Sequence, residues 1–334
     1  MCCFNILKLK TPESTSTFPN LTISTLHKNP YFCSLNFLSM PNKKYKIAVI
    51  QLNLNDIAEN NLKKCISWVR DAASQGAEVI SLPELYSSHY FCQSEDVDNF
   101  ALAEPLYSTS FIAFSELAKE LGVVIIVPFF EKRMAGIYHN SAYIIDTDGT
   151  EAGLYRKMHI PDDPAFYEKF YFTPGDLGFK NNPTKKGNIG TLICWDQWYP
   201  EAARLTALKG AEVLFYPTAI GWHPQEKEQY GENQYGAWMN VMKGHAVANG
   251  VYVAAANRIG LEQYLPNTPG IEFWGASFIC GPQGEILAQA SHDKEEILIA
   301  EVDLDLQENV RQNWPFFRDR RIDAFGDITK RAID

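Results

Sequence analysis

Long apolar runs and basic clusters are both missing from this chain of 334 residues. No stretch of about 18 apolar residues occurs, which argues against a membrane-spanning helix. The formal net charge is -10, and Lys and Arg nowhere form a long run. Nucleic acid is therefore disfavoured as a partner, because phosphate neutralisation needs clustered cations. Hydrophobic residues nevertheless make up 46% of the chain, enough for a large buried core.

Paired cysteine motifs and phosphate-binding loops are also absent. The seven cysteines are odd in number and scattered, and none forms a CxxC pair with metal-ligand spacing. We therefore expect a reduced, cytoplasmic protein with no disulfide framework and no metal site. No GxGxxG follows the first predicted strand and no P-loop is present, which disfavours nucleotide-binding folds.

Residues 1–43 differ from the rest of the chain. They are rich in Ser and Thr, lack clear periodicity and hold a single acidic residue, Glu13. We expect a disordered extension, or a segment upstream of a true start at Met40. An organelle transit peptide is the alternative, since such peptides are acid-poor and Ser-rich, although this segment contains no Arg. The folded domain is predicted over residues 44–334.

The folded part repeats one order of predicted elements: strand, helix, strand, helix, strand and hairpin. The word GAEV occurs at 76–79 and again at 210–213, each time between a predicted helix and a strand. Hairpin turns are predicted at 148–149 and 283–284, where Asp-Gly and Gln-Gly stand. The shared order indicates an internal pseudo-repeat of two equivalent halves.

Alternation of helices and strands predicts largely parallel sheets with antiparallel edges. The strands VVIIV, VLFY and VYVAAA are apolar on both faces, so both faces of each sheet should be covered. We therefore predict an α/β fold in which two sheets pack face to face with helices outside, a four-layer α-β-β-α sandwich. A single dinucleotide-binding sheet is the main alternative.

Cys194 is the first candidate for chemistry. It lies at the carboxyl end of a strand predicted over 189–195, just before a helix predicted from Pro200. Open α/β sheets place their ligands at such strand ends. A buried core cysteine is the alternative, but polar Asp196 and Gln197 follow at once. A thiolate at this position would be a nucleophile.

Two other polar residues follow apolar strands. Glu84 ends AEVISLPE, and Lys157 follows a hairpin strand in GLYRKMHIP. Taken singly, they are equally well explained as a loop acid and a surface lysine. Taken with Cys194 they form a chemical set, because a carboxylate can accept the thiol proton. The ammonium group and the backbone N–H of Trp195 would then stabilise an oxyanion.

The segments LPEL, YRKMHIP and LICWDQWYPEAAR together resemble the nitrilase superfamily of carbon–nitrogen hydrolases, over about residues 45–325. The resemblance implies the α-β-β-α sandwich, with Glu84 as general base, Lys157 as oxyanion-stabilising cation and Cys194 as nucleophile. It implies no metal and no organic cofactor. Glu168, in YEKFYFTPGDLGF, matches a second acid that positions lysine and substrate; an ordinary surface charge is the alternative.

The residues after the nucleophile bear on the substrate. Nitrilases of this superfamily generally show Cys-Trp-Glu, whereas Cys-Trp-Asp stands here and fits amide or ureido hydrolysis better. Carbamoylases of N-carbamoyl amino acids place arginines shortly after the cysteine, where this chain has Gln197 and Trp198. We therefore expect a substrate whose far end is neutral or positive. Candidates to hold an amine by charge or cation–π contact are Tyr90, His159, Asp162, Asp163, Trp198 and Trp222.

Within the superfamily, the nucleophile segment, HYFCQ at 89–93 and NWPFFRDRRID at 313–323 most resemble members that act on N-carbamoylputrescine. This resemblance implies hydrolysis to putrescine, carbon dioxide and ammonia, on the route from agmatine to polyamines. His223 stands where some relatives have an acid, and Glu226 and Glu228 are the candidates to replace that acid.

The resemblance also implies a homo-oligomer, a dimer or higher, with the aromatic segment 314–325 packed across an interface. The partner is otherwise a small carbamoylated amine. Two alternatives stay open. One is another amidase of the superfamily, acting on carbamoyl-β-alanine or an ω-amide. The other is a non-catalytic interaction protein that retains the fold.

Overall fold

The computed structural model describes residues 44–333, and the prediction for residues 1–43 lies outside that range. Fifteen strands are found in the described part. They are β1 Lys44–Gln51, β2 Val79–Ser81, β3 Val124–Met134, β4 Ile137–Ile145, β5 Glu151–Arg156, β6 Asn181–Pro183, β7 Asn188–Thr191, β8 Val213–Pro217, β9 Gly221–Trp222, β10 Tyr252–Ala256, β11 Ile259–Glu262, β12 Ile271–Trp274, β13 Phe278–Cys280, β14 Ile286–Gln289 and β15 Glu296–Asp303.

The same range contains six α-helices and five short 3₁₀ helices. The α-helices are α1 Ala58–Ser74, α2 Thr109–Leu121, α3 Glu168–Tyr171, α4 Pro200–Leu208, α5 Lys227–Asn249 and α6 Leu304–Asn313. The 3₁₀ helices are Phe91–Gln93, Val97–Leu102, Cys194–Trp198, Ile322–Ala324 and Gly326–Thr329. None of these helices in residues 44–333 is long and apolar enough to cross a membrane.

Two six-stranded sheets carry the repeat. Their strand orders are β15-β1-β2-β3-β4-β5 and β14-β13-β10-β8-β7-β6. In the first sheet β1, β2 and β3 are parallel, and β4 and β5 continue antiparallel. In the second sheet β7, β8, β10, β13 and β14 follow the same scheme. The predicted pseudo-repeat is therefore confirmed as a shared topology.

Alternating residues of β1 show the layering. Tyr45, Ile47 and Val49 belong to a core shared with the strands of the second sheet. Ala48 and Ile50 face the other way, into a core with α1 and α2. Helices α4 and α5 pack on the strands of the second sheet. The four-layer α-β-β-α sandwich is confirmed, because β1 buries one residue set against the other sheet and one against helices, and helices also cover the second sheet.

Helix ends follow the local sequence. The side chain of Ser108 accepts a hydrogen bond from the Phe111 N–H at the start of α2, and Gly122 ends that helix in the left-handed region. Gly76 and Gly210 are the first residues of the two GAEV segments, and their φ angles are 94° and 99°. The repeated glycine therefore meets a backbone requirement that other residues satisfy at a cost.

The structure differs from the predicted elements in three places. The strand predicted over 189–195 ends at Thr191, and Cys194 begins a 3₁₀ turn. A small sheet, ordered β11-β12-β9, was not predicted. Strand β15, which pairs with all of β1, was not predicted either, because its partner lies about 250 residues away along the chain.

Candidate active site

Glu84, Lys157 and Glu168 meet in the interior, although they come from distant parts of the chain. Glu84 lies three residues beyond β2, Lys157 follows β5, and Glu168 begins α3. All three are fully buried. Lys157 Nζ lies 2.8 Å from Glu84 Oε1 and 2.6 Å from Glu168 Oε2. The ammonium group is thus shared between two carboxylates, which compensates the burial of its charge.

The two oxygens of Glu84 have different environments. Oε1 accepts hydrogen bonds from Lys157 and from Asn140 Nδ2, which lies 2.7 Å away on β4. Oε2 is buried and has no hydrogen-bond partner among the described residues. A buried carboxylate oxygen without a donor is costly unless a proton or a ligand reaches it. Glu84 therefore has one oxygen fixed in position and the other free to accept a proton.

A buried arginine holds the segment after Glu84. Arg258 Nη2 donates to the carbonyls of Glu84 at 2.6 Å and Leu85 at 2.9 Å. Arg258 Nη1 donates to Glu262 Oε1 at 2.9 Å, and Glu262 Oε2 accepts from the Tyr90 N–H at 2.6 Å. Leu85 has a φ angle of 48°, which for this residue type needs support from its surroundings. The arginine fixes the direction in which the Glu84 side chain leaves the backbone.

Electrostatics keep the cluster charged. Burial lowers the pKa of Lys157, but the attraction of Glu168 and Glu84 outweighs it and holds the pKa well above its usual value. Burial raises the pKa of Glu168 to about 7, against the opposing effect of Lys157. The Tyr90 hydroxyl donates to Glu168 Oε1 at 2.7 Å. Lys157 therefore holds its proton more tightly than a free lysine, and burial makes Glu168 harder to ionise than a free glutamate.

Cys194 stands at the first residue of its 3₁₀ turn with a φ angle of 41°. Left-handed backbone at a non-glycine residue is strained and is frequent at functional sites. Sγ lies 3.8 Å from the Ala219 carbonyl oxygen. Burial, and after it the negative charge of Glu84, raise the pKa of the Cys194 thiol well above its usual value. The resting group is thus a thiol that needs a base nearby to become a nucleophile.

A cavity of about 520 Å³ opens above Cys194. Its lining is largely apolar and aromatic, with Glu168 beside Cys194 and the acids Asp163 and Glu226 among its charged members. No Lys or Arg belongs to this lining in the part of the chain that the structure describes. The other lining residues are Pro161, Pro164, Phe166, Trp195, Trp198, Ala219, Ile220, Gly221, His223, Gln225, Gln234, Ala237 and Trp274.

Comparison with known proteins agrees with this geometry. The carbon-nitrogen hydrolase family model matches residues 46–312. The chain belongs to this family. It is 48% identical over 284 residues to N-carbamoylputrescine amidase from Arabidopsis thaliana, covering 84% of this chain and 93% of that protein. It is 41% identical over 287 residues to a citrullinase from Francisella tularensis, covering 86% and 98%.

A solved structure supports the fold. The carbon-nitrogen hydrolase from Helicobacter pylori G27 aligns with a TM-score of 0.84 and 47% identity, over 87% of this chain and all of that one. The resemblance found in LPEL, YRKMHIP and LICWDQWYPEAAR is therefore confirmed at the level of the family.

In this member of the family, the residues predicted to bind substrate are scattered. Trp198 lines the cavity, as does Trp195. Tyr90 is fully buried outside the lining, and its hydroxyl donates to Glu168, which lines the cavity. Asp162 is exposed and lies outside the lining, which its neighbour Asp163 joins.

Two further candidates lie outside the lining for packing reasons. His159 stacks on Tyr199 with ring centroids 3.6 Å apart and contacts Asp196. Trp222 donates from Nε1 to the Gly231 carbonyl and packs against Trp274. Their roles in substrate binding stay predictions, and the contacts that the structure gives them are to neighbouring protein groups.

Gln197 corrects one step of the substrate argument. The prediction placed it where a carboxylate-binding arginine would stand, facing the substrate. The side chain is instead fully buried, and its Oε1 accepts hydrogen bonds from Trp238 Nε1 at 2.8 Å and Thr218 Oγ1 at 3.2 Å. The 3₁₀ turn directs this position toward α5. The evidence on substrate charge therefore comes from the cavity lining and not from Gln197.

Sequence reasoning missed Asn140 and Arg258. Asn140 lies inside a hairpin strand with no motif around it, and its partner Glu84 is 56 positions away. Arg258 follows the apolar strand YVAAA, as Glu84 follows its own strand. The rule that polar residues after apolar strands are candidates would have found Arg258 and would have missed Asn140.

Proposed function

We propose that this protein hydrolyses N-carbamoylputrescine to putrescine, carbon dioxide and ammonia, with Cys194 as nucleophile. The observation that carries the proposal is the cavity above Cys194. Its lining contains Asp163 and Glu226 and, among the described residues, no Lys or Arg. A carbamoylated diamine places an ammonium group there, and acids and aromatic faces favour such a cation. The 48% identity to an N-carbamoylputrescine amidase supports the same substrate.

The first half of the reaction uses the buried cluster. Glu84 accepts the proton of the Cys194 thiol, and the sulfur attacks the ureido carbon. The negative charge that develops on the ureido oxygen is stabilised by Lys157 and by the Trp195 N–H. The proton held by Glu84 passes to the departing nitrogen, and ammonia leaves. An N-alkylcarbamoyl thioester remains on Cys194.

The second half returns the enzyme to its starting state. Glu84 takes a proton from water, and the resulting hydroxide attacks the thioester carbon. The carbon–sulfur bond breaks, the thiol regains its proton from Glu84, and the released N-alkylcarbamic acid decomposes to putrescine and carbon dioxide. Glu168 keeps the Lys157 ammonium in place through both halves, since Lys157 Nζ lies 2.6 Å from its Oε2.

Citrulline hydrolysis is the second candidate, because a citrullinase is 41% identical to this chain. Citrulline carries the same ureido group but adds a carboxylate beside its amine. That carboxylate would enter a cavity that holds Asp163, Glu168 and Glu226 and no described Lys or Arg. Like charges brought together in a binding site cost several kcal/mol. The lining therefore favours the diamine.

The test is ammonia release by the purified full-length protein from four substrates in parallel. These are N-carbamoylputrescine, N-carbamoyl-β-alanine, glutamine and a simple nitrile. We expect N-carbamoylputrescine to give the highest kcat/KM by about 100-fold or more, since a buried unpaired charge penalises the carboxylate-bearing compounds. Preference for carbamoyl-β-alanine or glutamine would contradict the proposal.

We also propose that the protein works in the cytoplasm as a homo-oligomer. A reducing compartment suits a catalytic thiol. Trp314, Phe316 and Phe325 in the C-terminal segment are exposed by 57%, 42% and 42%, and such aromatic surface is typical of interfaces. Sedimentation of the wild type and of a Trp314→Ser, Phe316→Ser variant tests this. The wild type should be a dimer or larger and the variant smaller; a monomeric wild type would contradict it.

A further inference from the structure

Asp196, two residues after the nucleophile, accepts hydrogen bonds from two separate segments. Its carboxylate is fully buried. Oδ2 lies 2.6 Å from the Tyr155 hydroxyl and 3.0 Å from the Ile193 N–H. Oδ1 lies 3.0 Å from the His159 N–H and 2.7 Å from His159 Nδ1. Four donors converge on one carboxylate, which is close to its full capacity.

The positions of these donors relate directly to the reacting groups. Tyr155 and His159 stand two residues before and two residues after Lys157. Ile193 immediately precedes Cys194, and Asp196 lies in the same 3₁₀ turn as Cys194. The Asp196 carboxylate therefore links residues on both sides of Lys157 to residues on both sides of Cys194.

The geometry of the site indicates why these hydrogen bonds to Asp196 matter. Cys194 holds a strained backbone with a φ angle of 41°. Such a conformation persists only where surrounding bonds over-determine it. Lys157 Nζ must also remain at a fixed distance from the sulfur if it is to meet the oxyanion, and a displacement of about 1 Å can cost about 100-fold in rate.

We propose that the Asp196–His159 pair is a positioning element that sets the distance between the nucleophile Cys194 and the cation Lys157. Asp196 and His159 do not line the cavity, and they act through the two segments that they join. This inference rests on the roles of Cys194 and Lys157 under the proposed function.

His159 offers the cleaner place to perturb the pair. Its side chain is 29% exposed, so a replacement is tolerated better than at buried Asp196. Because the Asp196 carboxylate is an acceptor, His159 Nδ1 is the donor in their hydrogen bond. His159→Asn keeps an amide donor near the place of Nδ1, whereas His159→Leu removes it. Both variants lose the stacking on Tyr199, so they differ mainly in the bond to Asp196.

The experiment measures the rate at which iodoacetamide alkylates Cys194, followed by peptide mass mapping, together with kcat, KM and the melting temperature. His159→Leu should slow alkylation and lower kcat by about 10-fold with little change in KM, and His159→Asn should restore most of both. Asp196→Asn should lower both rates by about 100-fold, because it replaces an acceptor with a donor facing donors.

Asp146→Asn is the matched control. Asp146 is also a buried carboxylate that accepts backbone N–H groups, those of Thr147 and Lys185, but it lies in the β4–β5 turn away from the site. It should lower the melting temperature and leave alkylation and kcat unchanged.

Equal alkylation rates and equal kcat in His159→Leu and His159→Asn would overturn the inference. So would an Asp196→Asn protein that folds and alkylates at the wild-type rate. Alkylation needs no substrate, so these outcomes are distinguishable from failure of the proposed function, which would appear as a wild type that is inactive on N-carbamoylputrescine.

Discussion

The two halves of the sandwich share one backbone plan but differ in what stands at the strand ends. Strand pairing aligns them residue by residue, because Ile47 pairs with Val79 in the first half as Ile189 pairs with Val213 in the second. On this alignment Cys194 corresponds to Leu52. Glu84 corresponds to Thr218 at the end of the GAEV strands.

The counterpart of Lys157 follows from the strand pairing within the hairpins. Tyr143 pairs with Leu154 in the first half, and Phe278 pairs with Gln289 in the second. Lys157 therefore corresponds to His292. Leu52 is apolar and buried, the Thr218 hydroxyl bonds Gln197, and His292 Nδ1 lies 2.7 Å from the Trp274 carbonyl oxygen. The fold therefore has six equivalent positions after its strands, three in each half, and reactive residues occupy three of these positions. Two come from the first half and one from the second, so neither half holds the complete set.

The sharpest way to break this comparison is to truncate Cys194 and its counterpart. Cys194→Ala should reduce ammonia release to background and change the free energy of unfolding by less than about 1 kcal/mol. Leu52→Ala should do the reverse, costing about 2–5 kcal/mol through a core cavity while kcat stays within about tenfold. Urea unfolding and an ammonia assay measure both; an active Cys194→Ala protein would contradict the mechanism.

Removal of the base should have the next largest effect. Glu84→Gln keeps the shape of the side chain but not its basicity, and we expect kcat to fall about 10²- to 10⁴-fold. The counterpart change Thr218→Val removes a hydrogen bond to Gln197 and should cost only about 1 kcal/mol of stability. Steady-state kinetics on N-carbamoylputrescine decide this, and equal losses of kcat in the two variants would mean that Glu84 serves structure alone.

Asn140 and Ser277 give a smaller contrast. Both are buried polar residues: Asn140 lies on β4, and Ser277 directly precedes β13, the counterpart of β4. Asn140→Ala removes the 2.7 Å bond that orients Glu84, and we expect kcat to fall about tenfold. Ser277→Ala removes a hydroxyl that accepts from the Asn257 N–H and should cost about 1 kcal/mol of stability with kcat unchanged. A Ser277→Ala protein with the larger loss of kcat would reverse the assignment.

Glu168 stands outside this comparison, because α3 lies between the two halves along the chain, but it offers a further test of the site. Its pKa, raised by burial from 4.5 to about 7, means that the native state retains a proton which the unfolded state releases between those values. Its contribution to stability is therefore full below about pH 4.5 and is lost as the pH rises through 7. The wild type should lose more stability than Glu168→Gln between about pH 5 and pH 8, by urea unfolding. Parallel curves would contradict the raised pKa.

The fold was predictable because its signals are local. Apolar strands, the GAEV junctions and the Asp-Gly turn each need only a few neighbouring residues, and all are present, although the strand before Cys194 ends earlier than predicted. Cys194, Glu84 and Lys157 could be singled out because each is polar and stands within three residues of the end of a strand.

The parts that could not be predicted depend on contacts between distant segments. Arg258 reaches the Glu84 carbonyl across 174 positions of the chain. The direction of Gln197 depends on the 3₁₀ turn that begins at Cys194, which was not predicted. Asp163 lines the cavity while Asp162 does not, a difference between adjacent acids that no periodicity reveals.

The most direct test of the central claim compares two substrates that differ in one group. N-carbamoylputrescine and citrulline share a ureido group and an amine, and only citrulline has a carboxylate. With no Lys or Arg among the described residues of the lining, kcat/KM should favour N-carbamoylputrescine by about 100-fold or more. A protein that hydrolyses citrulline equally well or better would contradict the account of this cavity as a site for a carbamoylated amine.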